Sequence, residues 1–249
     1  MGTLALDIET ASPFQEPGRG NRGSEYYEWI AVAVGYREDD QSDPEETVLF
    51  RRGGWEREYT ADLFDQLTEW CDGREIDRTL TYNGVRFDLK HMGNWAEQID
   101  AEGVRTDTYA NLQRVFPRHI DLAPAATDRH ENELWDDQPV LPLWKSCKLE
   151  GVNDDSIWYE DYDFNGDYFN SLGIDDRFVK GQHVGQVLGE RFVDGVVAGL
   201  EKTSTHRELR RLLFDYAVGD VKVLFGLYDS LGGRNLDLDY EYPLDEVER

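Results

Sequence analysis

The sequence predicts an α/β fold in which a five-stranded mixed β-sheet is flanked by helices. Two observations support this prediction. Short apolar segments of strand length alternate along the chain with amphipathic segments of helix length, an order typical of α/β proteins. Near the N-terminus, two of the strand-like segments are separated only by a short acidic turn, which predicts a hairpin and hence an antiparallel pair within the sheet.

Five segments have the composition of β-strands. The first alternates apolar and polar residues and ends on a pair of carboxylates, whereas the second is apolar almost throughout. An acidic turn with Pro44 separates the second segment from the third. In chain order, the predicted strands are residues 4–10, 29–36, 47–50, 79–82 and 119–122.

Three segments have the apolar spacing of amphipathic helices. The first is predicted at residues 61–71 with Thr60 as its N-cap, and the second at about residues 86–99. In the third, residues 207–231, apolar residues recur at intervals of three and four up to the pair Gly232–Gly233, which is expected to end the helix.

Residues 127–205 lack this regular alternation. Charged, proline-containing and aromatic stretches follow one another, so we predict an insertion of short helices and loops packed beside the sheet. Its aromatic run at residues 158–169 could stack on nucleic-acid bases, although packing within the insertion is the favoured interpretation. The predicted domain is thus residues 1–233, and residues 234–249 are expected to form a loosely held acidic tail.

The composition is strongly acidic, with 52 Asp and Glu residues against 26 Lys and Arg residues and a formal net charge of −26. Only six of the basic residues are Lys. The acidic residues are spread along the chain and 12% of all residues are aromatic, which favours a folded domain with an acidic surface over a disordered chain. This composition resembles that of halophilic proteins, in which molar salt shortens the Debye length to about 3 Å and screens repulsion between surface carboxylates.

Net negative charge usually argues against a nucleic-acid ligand. That argument weakens at high salt, because electrostatic attraction to phosphates is then weak for any protein. Affinity must come from metals, stacking and directed hydrogen bonds. The net charge therefore indicates a high-salt solvent and does not identify the ligand.

No run of about 18 apolar residues that could cross a membrane occurs, and the chain enters its first strand without a basic leader, so we expect a cytoplasmic protein. The two cysteines, Cys71 and Cys147, form no C-x-x-C pair. Neither a disulfide framework nor a structural zinc is therefore expected.

Asp7 and Glu9 lie near the end of the first predicted strand. Residues two apart on a strand point to the same face, so the two carboxylates project together. Carboxylate oxygens are hard ligands that suit Mg²⁺ or Mn²⁺. A solvated strand end is the alternative, but the apolar neighbours indicate a buried strand, where two carboxylates are costly without cations.

Asp88 follows an Asn83–Gly84 turn and Phe87, which places it in the first turn of the second predicted helix. The helix dipole stabilises a carboxylate at that position. The alternative is an acidic residue that merely lies near a helix N-terminus, which is common.

Tyr216 and Asp220 are four residues apart in the last predicted helix, so their side chains lie on one face. Gly219 beside them costs about 1 kcal/mol relative to Ala in a helix, which predicts that another part of the chain, such as the first strand, approaches closely there. The alternative is a core Tyr followed by a surface Asp.

These segments, in this order, resemble motifs I, II and III of the DEDD exonucleases in the RNase H-like superfamily: Asp-x-Glu on the first strand, Asn-x-x-x-Phe-Asp before a helix and Tyr-x-x-x-Asp in a late helix. The Tyr form of the third motif resembles the branch that includes the proofreading domains of family B DNA polymerases. Residues 81–92 and 119–122 also resemble stand-alone predicted exonucleases related to that branch. The predicted element order is likewise that of the RNase H-like fold, and the resemblance covers about residues 4–122 and 205–231.

The resemblance implies a 3′–5′ exonuclease that hydrolyses phosphodiester bonds at single-stranded DNA or RNA ends with two divalent cations, Mg²⁺ or Mn²⁺. It implies that Asp7 bridges the cations, that Glu9 and Asp220 complete one metal site, and that Asp88 acts on the second. Tyr216 would orient the attacking water, because a phenol titrates near 10 and is a poor base at neutral pH.

Three further residues are expected to contact the terminal nucleotide: Thr10, Asn83 and Phe87. Asp107 and Asp121 are acidic residues near the edge of the predicted site that could replace a misassigned ligand. The sequence contains no polymerase or helicase domain, so any replication or repair partner is expected to act in trans.

Two other functions remain open on the sequence. An RNase H-fold endonuclease or junction resolvase could use the same four carboxylates, but such enzymes do not rely on the Tyr of the third motif. A catalytically silent nucleic-acid-binding module could retain the fold, but all four carboxylates and Tyr216 are present.

Overall fold

A five-stranded mixed sheet forms the centre of the computed structural model, which describes residues 2–18, 23–40, 42–135, 138–236 and 238–247. The strand order is β3-β2-β1-β4-β5, in which β2 runs antiparallel to β1 and β3 while β4 and β5 run parallel to β1. The strands are β1 Gly2–Ala11, β2 Glu28–Arg37, β3 Glu45–Phe50, β4 Ile76–Thr81 and β5 His119–Asp121. The predicted fold class, with its β2–β3 hairpin, is confirmed.

Helices cover both faces of the sheet. In chain order they are α1 Arg57–Cys71, α2 Asp88–Glu102, α3 Thr108–Val115, α4 Leu122–Arg129, α5 Leu143–Glu150, α6 Tyr168–Ser171, α7 Gly181–His183, α8 Gly189–Val197 and α9 Ser204–Leu231. A π-helical turn, Val184–Leu188, joins α7 to α8. The insertion thus contains short helices, as predicted, whereas α3 has no counterpart in the sequence prediction because eight residues give too few turns for a periodic pattern.

β1 separates two hydrophobic layers. Its even-numbered residues, such as Leu4 and Leu6, pack with α1 and α2. Its odd-numbered residues Ala5 and Ala11 pack in the layer that contains α9 and the insertion. Because side chains alternate along a strand, the odd-numbered acidic residues between them also face the α9 layer.

α1 begins at Arg57, so the predicted N-cap Thr60 is wrong. Thr60 is fully buried within the first turn, and its hydroxyl accepts a hydrogen bond of 3.0 Å from Arg51. The Arg51 guanidinium is 1% exposed and also donates to the backbone oxygens of Trp29 and Glu56. A buried charge requires hydrogen-bond acceptors, and the Thr60 hydroxyl is one of the acceptors for Arg51.

The C-terminal segment lies along the outer edge of β5, so the predicted loose tail is wrong. Tyr242 N–H donates to the His119 oxygen at 2.9 Å, and Asp121 N–H donates to the Tyr240 oxygen at 3.2 Å. Leu244 is buried in the α1–α2 layer. The segment therefore covers an edge strand whose backbone groups would otherwise lack partners.

In the described residues, no helix combines the length and the apolar character that crossing a lipid bilayer requires.

Candidate metal centre

The carboxylates of Asp7 and Glu9 project from the end of β1 toward α9. A register shift occurs at this point, since Glu9 pairs with Ala31 of β2 whereas Thr10 pairs with Trp29. Such a bulge increases the local twist of a strand and is frequent next to functional sites. The two acidic side chains of β1 therefore lie where its pairing with β2 becomes irregular.

Asp220 completes a group of three carboxylates from the other side. One oxygen from each of Asp7, Glu9 and Asp220 can be chosen so that the three lie within 4.8 Å of one another. α9 reaches this position by packing on the sheet, where a Cβ added to Gly35 of β2 would lie 3.0 Å from Val221 and 2.9 Å from Phe225. The close approach of helix and sheet thus depends on the glycine of β2.

Gly219 has no such role. A Cβ added there would meet nothing within 4 Å, so the prediction that the chain approaches closely at Gly219 is wrong. α9 instead buries the neighbouring Ala217 and Val221 against the sheet.

Asp88 reaches the cluster as the first residue of α2. Its Oδ1 accepts a hydrogen bond of 3.0 Å from the Ile8 N–H, and only 3% of the residue is exposed. β1 pairs with β4 only as far as Ala5, so Ile8 lies beyond the shared ladder. The Asp88 side chain thus joins the start of α2 to the part of β1 that lies beyond β4. Its charge contributes to the raised pKa of Asp7 and of Glu9.

Burial and mutual repulsion make this cluster unfavourable for four ionised carboxylates. Desolvation, followed by the neighbouring acidic charges, raises the pKa of Asp7 and of Glu9 well above their ordinary values. Desolvation is also the main cause that raises the pKa of Asp88 and of Asp220 to about 7. Glu9 Oε1 is buried and has no hydrogen-bond partner. Buried carboxylates in such a state are normally neutralised by protons or by cations, and oxygen ligands suit Mg²⁺ and Mn²⁺.

Tyr216 adds a hydrogen-bond donor to the acidic cluster. Its hydroxyl lies one helical turn from the Asp220 carboxylate, and the two groups shift each other's pKa. Burial, followed by the charges of Asp220, Glu9 and Asp7, raises the pKa of Tyr216 well above 10. The phenol therefore stays protonated at physiological pH, where it can donate a hydrogen bond but cannot serve as a base.

Asp121 holds the loop that precedes Asp88. Its carboxylate accepts hydrogen bonds from the N–H groups of Asn83 at 2.7 Å, Val85 at 3.1 Å and Ala123 at 3.1 Å. These bonds fix Asn83 in a left-handed backbone conformation, with φ of 63°. Asp121 thus anchors this loop, and its suggested role as a substitute metal ligand stays a prediction.

Asp107 is the N-cap residue of α3, with φ of 62°. It is not part of the group of acidic residues whose oxygens lie together.

We expect Asp121→Asn to lower the free energy of unfolding by about 1–3 kcal/mol, because an amide has one acceptor oxygen where the carboxylate has two for three donors. Displacement of the Asn83 loop should also reduce activity. Asp107→Asn is the matched control, because Asn tolerates the left-handed conformation of that residue. Thermal unfolding of both variants tests this prediction, and equal stability of the two would contradict it.

The predicted nucleotide contacts are placed around the cluster. Thr10 follows Glu9 directly and is 8% exposed. Phe87 is half-buried, and its ring packs edge-on against Tyr27 and His91 at centroid distances of 5.3 Å and 4.5 Å. The fold therefore uses Phe87 for packing, and contact of these residues with a nucleotide stays a prediction.

The insertion contributes to the site in ways that the sequence did not indicate. Asp154, in an exposed loop, is the charged neighbour that raises the pKa of Asp220 most. A Cβ added to Gly181 would lie 3.3 Å from the Tyr216 hydroxyl oxygen, and one added to Gly185 would lie 3.6 Å from the Thr10 oxygen. In a chain with 52 acidic residues, nothing in the sequence distinguishes Asp154 from the others.

No protein-family model matches the chain, and no curated protein matches it. Among solved structures, it is similar to the family B DNA polymerase from the hyperthermophilic archaeon Pyrobaculum calidifontis, with 18% sequence identity and a TM-score of 0.52. The similarity covers 99% of this chain and 26% of the polymerase chain, so the chain spans about a quarter of the polymerase's length. At this identity the similarity shows a shared fold, in agreement with the RNase H-like arrangement of the sheet and helices.

Proposed function

We propose that this protein is a metal-dependent nuclease that removes nucleotides from the 3′ end of single-stranded DNA or RNA. The observation that carries the proposal is the convergence of four carboxylates, two buried and two half-buried, from β1, α2 and α9, beside a protonated Tyr216. Separate elements bring together acidic groups that repel one another. Such an arrangement is destabilising by itself and becomes favourable when divalent cations bind.

Two cations, Mg²⁺ or Mn²⁺, fit the number and type of ligands. The family resemblance implies that Asp7 would contact both cations, and the three other carboxylates all act on it electrostatically. Glu9 and Asp220 would complete one site and Asp88 the other. Bound cations would supply an ionised water at neutral pH and neutralise the charge that develops on the phosphate.

The protein's own groups orient the reactants. The Tyr216 hydroxyl, which stays protonated beside Asp220, would donate a hydrogen bond to the attacking water or to the phosphate. The hydrogen bond from Ile8 N–H fixes the direction of the Asp88 carboxylate. In this proposal Thr10, Asn83 and Phe87 would contact the last nucleotide of the strand.

The proposal of a 3′–5′ exonuclease depends on family resemblance. The three motifs resemble those of the proofreading domains of family B DNA polymerases, and the structural neighbour is a polymerase of that family. Because the chain spans 26% of that polymerase, only a nuclease activity is proposed.

A labelled-end assay tests the proposal. Single-stranded DNA and RNA, labelled at the 3′ or the 5′ end, are incubated with Mn²⁺ or EDTA at molar KCl, the salt suited to a chain of net charge −26. We expect a ladder of shortened 5′-labelled products that requires Mn²⁺. Nicking of a labelled circular substrate would instead indicate an endonuclease. Binding of the labelled strands without any turnover would indicate a catalytically silent binding module.

We expect Tyr216→Phe to lower kcat on the order of 100-fold with little change in KM, because only the positioning hydrogen bond is lost. Tyr109→Phe is the matched control, since it removes a phenol that donates to Asp245 at 2.9 Å on an exposed surface. Steady-state kinetics of both variants measure the effect. A Tyr216→Phe enzyme with the kcat of Tyr109→Phe would exclude a catalytic role for the phenol.

A further inference from the structure

We infer that an exposed ring pair on the insertion, Trp158 and Phe178, stacks on bases of the single-stranded nucleic acid that enters the metal centre. This inference rests on the proposed function and names where that substrate is held. It also identifies a role for part of the insertion, whose sequence does not belong to the three motifs.

Most of the aromatic run of the insertion packs on itself. Tyr159, Phe164, Tyr168 and Phe169 contact one another with ring-centroid distances from 4.0 to 5.1 Å. For these residues the packing interpretation of the sequence is confirmed. Trp158 is different, because its ring is directed away from that group toward Phe178.

The ring pair is exposed but rigidly held. Trp158 is 39% exposed and Phe178 is 37% exposed, with ring centroids 6.0 Å apart and planes inclined by 64°. Their backbones form an antiparallel bridge, and two flanking backbone hydrogen bonds of 3.1 Å and 2.9 Å join the two segments. Exposed rings on a fixed backbone offer stacking surface at a small entropic cost.

Two positively charged side chains border the ring pair. Arg177 Cζ lies 5.6 Å from the Trp158 ring centroid, and Lys180 Nζ lies 5.3 Å from that of Phe178. Each cation is also paired with a carboxylate, Arg177 with Glu160 at 3.5 Å and Lys180 with Asp176 at 2.6 Å. Each ion pair has no net charge. The two pairs therefore do not add to the negative charge that repels phosphates from the rest of the chain.

Residues next to the ring pair in the chain connect it to the metal centre. Lys180 precedes Gly181, whose added Cβ would lie 3.3 Å from the Tyr216 hydroxyl oxygen. Tyr159, next to Trp158, shares a hydrogen bond of 2.8 Å with His183 in the same short helix. In this inference, a strand whose last phosphate lies at the carboxylate cluster passes the ring pair.

Single-stranded nucleic acid is the ligand that this surface fits. Every base has a flat face that stacks on aromatic rings regardless of sequence, and stacking survives at high salt better than attraction to phosphates. With a formal net charge of −26, the chain cannot hold a strand by a broad basic surface. Stacking on the exposed rings is therefore a source of affinity that does not depend on a basic surface.

The test compares a long single-stranded oligonucleotide with a dinucleotide, which in this inference occupies the metal centre alone. We expect Trp158→Leu and Phe178→Ala to raise KM for the oligonucleotide on the order of tenfold, the effect of losing about one base stack. The kcat/KM for the dinucleotide should be unchanged. Trp158→Phe, which keeps a ring, should retain most of the affinity.

Two controls locate the path of the strand. Tyr59→Ala removes a ring of similar exposure, 36%, from α1 on the opposite layer, and should change neither substrate. Trp144→Ala removes a ring from a second exposed pair, Trp135 and Trp144, whose centroids are 6.5 Å apart. If Trp144→Ala and not Trp158→Leu raised the oligonucleotide KM, the strand would follow the second pair and the inference would be overturned.

A binding titration separates this inference from the proposed function. Fluorescence anisotropy of a labelled oligonucleotide with Ca²⁺ measures affinity without turnover. If wild type hydrolyses neither substrate with Mn²⁺, the proposed function fails, but weaker binding by Trp158→Leu still supports the ring pair. If wild type hydrolyses both substrates and Trp158→Leu binds and cleaves as wild type does, the ring pair is excluded while the nuclease stands.

Discussion

The Asp7→Asn variant is expected to lose metal-dependent hydrolysis on the order of 10³-fold in kcat, because it removes the carboxylate proposed to contact both cations. Metal coordination supplies several kcal/mol of transition-state stabilisation, and about 4 kcal/mol corresponds to this factor. Asn keeps the size of the side chain and one oxygen, so the fold of the strand end is preserved. The residual rate is measured with Mn²⁺ and 5′-labelled single-stranded DNA.

The same substitution should stabilise the metal-free protein. Asp7 lies beside three other carboxylates, and burial together with their charges raises its pKa well above the ordinary value. Removing its charge relieves that repulsion, so the Tm of Asp7→Asn in EDTA is expected to exceed that of wild type. Loss of activity with a gain of stability is typical of a functional site and contrasts with a misfolded variant, which loses both.

Asp72→Asn is the matched control, because it makes the same chemical change at an exposed residue that ends α1. It should leave both kcat and Tm close to the wild-type values. If Asp7→Asn were as active as Asp72→Asn, Asp7 could not be a metal ligand of the reaction. An inactive Asp7→Asn with a lowered Tm would instead indicate a structural role for the carboxylate.

The elements that carry the site follow from local patterns in the sequence. The alternation of β1 and its apolar even-numbered residues predict that Asp7 and Glu9 share a face, and the structure places both toward α9. Likewise, the helical spacing of α9 predicts that Tyr216 and Asp220 lie together, and in the structure Asp220 is close enough to raise the pKa of Tyr216. Periodicity within one element is a property of neighbouring residues, so the sequence contains it.

Features that depend on distant residues were not predictable in the same way. Thr60 resembles an N-cap, but the buried guanidinium of Arg51 takes its hydroxyl, and this requires the two segments to be packed together. The three backbone N–H groups that donate to the Asp121 carboxylate come from two separate segments, so the sequence does not indicate its role in holding the Asn83 loop. The acidic C-terminal segment resembles a free tail, yet the open edge of β5 gives it hydrogen-bond partners.

Divalent cations are expected to stabilise the protein strongly at pH 8 and weakly at pH 5. The pKa values of Asp88 and Asp220 are raised from 3.8 to about 7 in the folded state, mainly by desolvation. Between about pH 4 and 7 the folded state therefore binds more protons than the unfolded state. Its stability must fall as the pH rises through this window. For one such carboxyl the loss amounts to about 4 kcal/mol when complete, and a bound cation offsets it.

Thermal unfolding at molar KCl, with EDTA or Mn²⁺, measures this linkage. Other carboxylates also titrate in the acidic range, so the decisive quantity is the difference between wild type and Asp88→Asn, in which the amide oxygen can still accept the Ile8 N–H. We expect the Tm of metal-free wild type to fall more from pH 5 to pH 8 than that of Asp88→Asn. Mn²⁺ at pH 8 should then raise the Tm of wild type and have a much smaller effect on the variant. Equal pH slopes, or equal responses to Mn²⁺, would show that the buried carboxylates are not a cation site.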